Sequence, residues 1–262
     1  MMRQEERRRW LIQALMDENP DYNQIFAIPQ AEDEQRRLLR ALLNLRPPMP
    51  ASPEFLRVQN AYLQEELARR GVVDGEALPE LRSGVCLWRG DITRLRCDAI
   101  VNAANSALLG CFCPNHGCID NAIHTFSGVQ LRLACNEIMV KQGRLEAAGT
   151  AKITPAFNLP CRYVLHTVGP VVRGGVTQKD SEQLSACYRA CLDLAQRRQL
   201  RSVAFCCIST GEFHFPNELA ARIAIQTVCG HSAVRHNRIR VIFNVFKEQD
   251  EAIYRRLLRW SD

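Results

Sequence analysis

"RSVAFCCISTGEFHFPNELAARIAIQTVCGHS", residues 201–232, reads in three pieces. The apolar "SVAFCCIS" has the length and composition of a buried strand. A polar segment from Ser209 to His214 follows, and Pro216 then opens an alanine- and isoleucine-rich helix. A strand that feeds directly into a helix is half of a strand–helix–strand unit. Such units build mostly parallel sheets covered by helices on both faces. Ligands in these sheets bind outside the carboxyl ends of the strands.

The same alternation extends outward from this stretch. "GVCLWRG" (84–90), "CDAIVNAAN" (97–105) and "CRYVLHTVGP" (161–170) read as strands, followed by a helix from about Ser181 to Arg198. "NRIRVIFNVF" (237–246) is a further strand, and "QDEAIYRRLLRW" (249–260) a closing helix. Residues 1–80 are instead helical. "AEDEQRRLLRALLNL" (31–45) has acids in its first turn and Leu38, Leu42 and Leu45 on one face. "RPPMPASPEF" breaks it. Ser52, Pro53 and Glu54 then supply the N-cap and first turn of a second helix, with an apolar stripe of Phe55, Val58, Tyr62 and Leu63 and a stop at Gly71. So many aliphatic residues exclude a linker. They predict a helical extension over 1–80 packed on a core over 84–262.

Composition narrows the class. The 262 residues are 47% hydrophobic and 24% charged, enough to bury a sizeable core, and no apolar run approaches the ~18 residues of a membrane span. The N-terminal text lacks an apolar signal region, so a cytoplasmic protein is expected. The net charge of +6 does not imply nucleic-acid binding, because the arginines are mixed with acids and "RRR" at 7–9 follows Glu5 and Glu6. Twelve cysteines in so long a chain, several inside apolar strand or helix text, read as reduced thiols.

Three loops at predicted strand ends carry chemistry. In "RGDIT", Asp91 can accept from an exocyclic amine while the Ile92 N–H donates to a ring nitrogen, a pairing that reads an adenine edge; the ordinary role for such an Asp is a turn or cap. In "VNAANS", Asn102 and Asn105 offer uncharged donors and acceptors suited to sugar hydroxyls, or simply support their own turn. In "STGEFHFP", the backbone amides around Ser209, Thr210 and Gly211 form an anion nest ahead of a helix N-terminus, and Phe213 or Phe215 can cover a ribose. Glu212 is unusual there, because a carboxylate repels phosphate unless it points away. A fourth stretch, "LLGCFCPNHGCIDNAIH" (108–124), packs three cysteines and two histidines into one short segment.

"GDIT", "VNAAN" and "STGEFHFP", in that order, with "HTVGP" and the Asp120, Ile123, His124 tail of "DNAIH", resemble the macrodomain family. The resemblance implies a three-layer α/β/α sandwich with a mixed, mostly parallel sheet that binds ADP-ribose. It implies that Asp91 and Ile92 face adenine, that Asn102 and Asn105 face the distal ribose, and that Ser209, Thr210, Gly211, Glu212 and Phe213 wrap the diphosphate and that ribose. Phe246, after the last strand, is the implied stacking partner for adenine.

Hydrolytic macrodomains commonly carry a glycine-rich run after "NAAN"; here "GCFCPNHGC" replaces it. The replacement, with the N-terminal "LRPPMPASPEFLRVQNAYL", is similar to the zinc-containing macrodomain subgroup. Thiolate and imidazole are preferred zinc ligands. The family match implies Cys111, His116 and Cys118 as the ligands. Cys113 remains a local competitor by spacing, and His124 is a further candidate that reads better as a packed residue. Three protein ligands leave the open position of a catalytic zinc, whereas recruitment of Cys113 or His124 closes a structural one.

The resemblance thus implies a zinc-dependent hydrolase that removes mono-ADP-ribose from acidic protein side chains, with Asp120 positioning or deprotonating water. The rival expectation is a reader module that binds ADP-ribose without turnover around a structural zinc. Subgroup resemblance further implies a sirtuin-type ADP-ribosyltransferase and a lipoyl-carrier protein as partners.

Overall fold

The computed structural model of the protein describes residues 2–25 and 27–260. Four helices come first: α1 (Gln4–Asp17), α2 (Pro20–Ile25), α3 (Glu32–Leu45) and α4 (Pro53–Arg70). The start of α4 follows its sequence signals: Ser52 Oγ accepts the Phe55 N–H at 3.1 Å, and Pro53 occupies the first turn. It stops at Gly71, whose φ of +76° suits a residue without Cβ. Helix α3 buries Gln35, Leu39, Leu42 and Leu43, so its inner face is rotated from the predicted Leu38–Leu42–Leu45 line. Leu38 and Leu45 lie half-buried at the border of that face. Leu11, Ile12, Leu15, Leu39, Leu42, Phe55, Val58 and Tyr62 form the core between α1, α3 and α4.

A larger apolar cluster lies around a sheet. Short β1 (Val73–Asp74) and β4 (Leu95–Arg96) pair with each other in parallel. The main strands are β2 (Glu80–Arg82), β3 (Val85–Arg89), β5 (Ala99–Ala103), β6 (Ala151–Pro155), β7 (Tyr163–Thr167), β8 (Ser202–Phe205) and β9 (Arg240–Val245). They form a seven-stranded sheet in the order β2-β3-β9-β8-β5-β7-β6. The pairs from β3 to β7 are parallel, and the two edge strands run antiparallel to their neighbours. Helices α5 (Ile119–Ser127) and α6 (Val129–Gln142) cover one face. The other face carries α7 (Gln178–Arg197), α8 (Asn217–Gly230) and α10 (Glu248–Trp260), with the short α9 (Ser232–Arg235) beside α8. The expected α/β/α layering with a mixed, mostly parallel sheet is therefore present.

The α1–α4 bundle docks on the α5–α6 layer through a polar seam. Gln59 accepts the Val129 N–H at 2.9 Å and donates to Gln130 at 2.7 Å, while Gln64 donates to the Asn158 carbonyl at 3.0 Å. The buried Arg132 of α6 donates to the carbonyls of Leu109 (2.7 Å), Leu43 (3.2 Å) and Arg46. Because the central strands are parallel, the loops after β3, β5, β7, β8 and β9 all emerge at one edge. Among the described residues no helix is long and apolar enough to cross a membrane.

Candidate active site

The loop after β3 begins with Asp91, which caps a short 3-10 turn over Ile92–Arg94. Its Oδ1 accepts from the Thr93 N–H (2.9 Å) and hydroxyl (2.7 Å), and its Oδ2 from Arg70 at the end of α4 (3.0 Å). A carboxylate has about four acceptor positions, so one remains for a further donor. The ordinary capping role and a recognition role thus coexist in one side chain. The Arg70 guanidinium is sandwiched, lying 3.7 Å from the Phe126 ring centroid while it bonds Asp91. Ile92 is buried beneath the loop.

At the end of β5, Asn102 stands opposite His166 of β7 in the sheet register. Neighbours in register share a face, which brings Asn102 Nδ2 to 3.3 Å from His166 Nδ1. The same amide donates to Asp120 Oδ1 at 2.7 Å. Asn105 is half-buried, and its amide donates to the Gly110 carbonyl (3.0 Å) and to Asp120 Oδ2 (3.4 Å). Asn102 is fully buried between His166 and Asp120, against the expectation that it faces the distal ribose, and of the two asparagines only Asn105 is partly exposed. Asp120, in the first turn of α5, sits beneath both with each oxygen engaged. Burial pushes its carboxyl up to about 6, opposed by the Asn102 hydrogen bond and Arg132.

The cysteine-rich loop spans the gap between Asn105 and Asp120. The ligand atoms of Cys111, His116 and Cys118 lie within 4.8 Å of one another, with Cys111 Sγ 3.6 Å from His116 Nδ1. Cys113, the competitor by spacing, is exposed and outside this group. Cys118 caps α5, its Sγ accepting the Asn121 N–H at 3.4 Å. Burial pushes its thiol up to about 12, and Cys111 alongside adds to the shift.

His124 also lies outside the trio. It is buried with Cys135 and His166 in a second cluster of ligand-type atoms. Both nitrogens of His166 face protein partners, Asn102 at 3.3 Å and Thr154 Oγ1 at 2.9 Å, whereas the nitrogens of the buried His124 make no hydrogen bond. Burial lowers the pKa of His166 to about 4 and that of His124 well below the usual histidine value, so both rings are neutral at pH 7. His124 is thus buried and stands apart from the Cys111–His116–Cys118 group.

The loop after β8 carries Ser209 to Phe213, the residues expected to form an anion nest. Ser209 adopts φ +66°, and the loop is tied by Phe215 N–H to the Ser209 carbonyl (2.9 Å) and His214 N–H to the Gly211 carbonyl (3.0 Å). Among the described residues, the N–H groups of Gly211, Glu212 and Phe213 donate to no backbone carbonyl and are free for an anion. Thr210 turns its hydroxyl inward to the Cys207 carbonyl at 3.0 Å. Gly169, just after β7, explains the glycine of "HTVGP": a Cβ there would lie 2.0 Å from Ser209 Oγ. Glu212 turns toward His116, with Oε1 3.5 Å from Nε2. Phe213 is half-buried, whereas Phe215 is 1% exposed and belongs to the core, which removes it as a ribose cover. Phe246 is 77% exposed at the end of β9, its ring open to stacking.

Sequence reasoning missed Arg40, Asn44, Arg70 and Asn121. Arg40, Asn44 and Arg70 reach this edge across long stretches of chain, with no local pattern to mark them, whereas Asn121 sits beside Asp120 and bonds the nearby Cys111 and Cys113 carbonyls.

The chain is similar to known proteins. A sequence profile of the Macro domain matches residues 101–224. A protein-ADP-ribose hydrolase of Treponema medium is 52% identical over 261 residues, covering 98% of this chain and 100% of that protein. One from Staphylococcus aureus (strain MSSA476) is 46% identical over 248 residues, covering 94% of this chain and 92% of that one. A crystal structure of a Trypanosoma brucei macrodomain in complex with ADP-ribose superposes with a TM-score of 0.63 at 28% identity, covering 88% of this chain and 97% of that chain.

Proposed function

This chain belongs to the Macro domain family, and from that premise we propose that it is a protein-ADP-ribose hydrolase that depends on zinc. Its substrate is a protein carrying mono-ADP-ribose on an acidic side chain. The observation that carries this reading is the convergence at one sheet edge. A three-donor Cys111–His116–Cys118 group sits between the sugar-facing Asn105 and the Ser209–Phe213 nest, and Glu212 touches His116.

The residues fit zinc by donor type and spacing, and the group offers three protein donors rather than four. Bound there, zinc supplies Lewis acidity beside the distal ribose. The chain's own residues do the rest. Asp91 takes the adenine amine on its remaining acceptor position while the Ile92 N–H faces a ring nitrogen, and Phe246 stacks on the base. The Gly211, Glu212 and Phe213 amides, backed by the N-terminus of α8, hold the diphosphate. Asn105 orients the distal ribose. Asp120 and Asn102 act behind it, fixing the direction of the Asn105 amide so that the reacting bond is presented in one geometry.

Hydrolysis adds water across the bond between that ribose and the acidic side chain. The water oxygen bonds to the anomeric or the ester carbonyl carbon, the old C–O bond breaks, and ADP-ribose leaves with the carboxylate restored. By the same resemblance the partners are a lipoyl-carrier protein as target and a sirtuin-type transferase as the opposing enzyme, in the cytoplasm.

The test is release of ADP-ribose from a mono-ADP-ribosylated carrier protein before chelation, after it, and after zinc is restored. Loss and recovery of turnover, with Cys111→Ala inactive, supports the reading. Full turnover after exhaustive chelation rejects the zinc requirement, and tight ADP-ribose binding without any release leaves a reader module.

A further inference from the structure

The loop that carries the three metal donors has no regular secondary structure, yet it does not stand alone. Helix α3, some seventy residues earlier in the chain, reaches across to it. Arg40 donates from Nε (3.1 Å) and Nη2 (2.7 Å) to Asn121 Oδ1, and from Nη2 to the His116 carbonyl at 3.0 Å. Asn121 is fully buried and passes this constraint on. Its amide donates to the Cys113 carbonyl (3.0 Å) and the Cys111 carbonyl (3.5 Å), and its N–H points at Cys118 Sγ. One turn further along α3, the buried Asn44 accepts the Asn115 N–H at 3.0 Å and donates to Thr125 Oγ1 at 3.0 Å. Asn115 adopts φ +56°, a sparsely populated conformation that its neighbours must hold in place.

We propose that α3 is part of the metal site, with Arg40 and Asn44 as positioning residues that hold the Cys111–Cys118 loop in its ligating shape. The inference rests on the reading that this loop binds zinc. All three donors are covered: His116 through its carbonyl, Cys111 through Asn121, and Cys118 through the Asn121 N–H. The fork of Arg40 matters as well as its charge, because one guanidinium spans two acceptors on different segments. Groups that orient metal ligands from behind cost about ten- to a hundredfold in metal affinity when removed. The N-terminal helices thus do more than dock: they preorganise a site whose donors all lie in the other part of the chain.

The experiment measures zinc affinity of the full-length protein by competition with a chromophoric chelator, alongside ADP-ribose affinity and thermal stability. Arg40→Ala and Asn44→Ala should each weaken zinc by about tenfold or more. Arg40→Lys, which retains charge and stem, should fall between Arg40→Ala and wild type. Arg37→Ala, on the exposed face of the same helix, should bind zinc like wild type. ADP-ribose affinity should stay unchanged throughout, a separation that general loosening of the fold does not produce. Should Arg40→Ala fail to fold, Arg40→Lys carries the measurement. Wild-type zinc affinity in Arg40→Lys and Asn44→Ala overturns the proposal, as does parallel loss of zinc and ADP-ribose binding in step with stability. A wild-type protein that binds no zinc overturns the metal reading itself, and this inference with it.

Discussion

Glu212 presents an electrostatic problem, a carboxylate in a loop shaped for diphosphate, and its direction supplies the answer. With Oε1 at 3.5 Å from His116 Nε2, it can fix the ring so that Nδ1 faces Cys111. Glu212→Gln should therefore lower kcat by about tenfold through a less well-oriented His116. ADP-ribose should bind about as tightly as to wild type, because this carboxylate is turned to His116; steady-state kinetics and calorimetry check both halves. A second prediction concerns His166. Its native pKa of about 4 lies below that of the unfolded chain, so the unfolded state takes up a proton that the native state refuses. Its neutral form is accommodated fully above about pH 6.5, and native stability falls as the pH drops toward 4, by an amount on the order of 3 kcal/mol. Urea unfolding of wild type and His166→Gln at pH 7 and pH 4.5 should show the smaller acid loss in the variant.

At the scale of elements, "HTVGP" becomes a packing device. Gly169 leaves the space that the Ser209 and Ile208 side chains fill, so a Cβ there would force the loop after β8 or those side chains to shift. Gly169→Ala should push the nest outward and weaken ADP-ribose binding by more than about tenfold while zinc affinity holds, since misplacement by about an ångström costs that much or more. Calorimetry with ADP-ribose is the check. The strands and helices carrying this site were legible because their signals are local: Ser52-Pro53 opening α4, the apolar run of β8, Pro216 before α8. Strand β6 was not, because it is an edge strand whose "AKITP" mixes Lys152 and Pro155 into a half-exposed face. Helix α6 was not, because "VQLRLACNEIMVKQ" spreads its apolar residues around the helix and buries only Leu131, Arg132 and Cys135. The rotation of α3 has a similar origin. Its buried Gln35 and Asn44 serve partners elsewhere in the fold, which an apolar-periodicity reading counts as outward-facing.

Across the whole molecule, two apolar cores meet along a seam of amides and guanidinium groups. Arg132 is the most demanding member. It is 5% exposed, serves three carbonyls and lies 4.3 Å from the Phe112 ring centroid. Burial lowers its pKa to about 10, which still leaves it charged at neutral pH. Arg132→Met fills similar space but strips those acceptors of their donor, so it should destabilise the protein by on the order of 3 kcal/mol, measured by urea unfolding at pH 7. An unchanged midpoint would show that water replaces the guanidinium at no cost. Such a seam also explains why the site was only half readable from sequence: the donors were adjacent in "CFCPNHGC", while two of their supports, Arg40 and Asn44, lie on a helix more than seventy residues earlier.

The isolation of Cys113 carries a practical corollary. Among the described residues it is the only exposed cysteine, and it lies outside the Cys111–His116–Cys118 group. A maleimide dye should therefore couple there first, at a single sulfur, without help from mutagenesis.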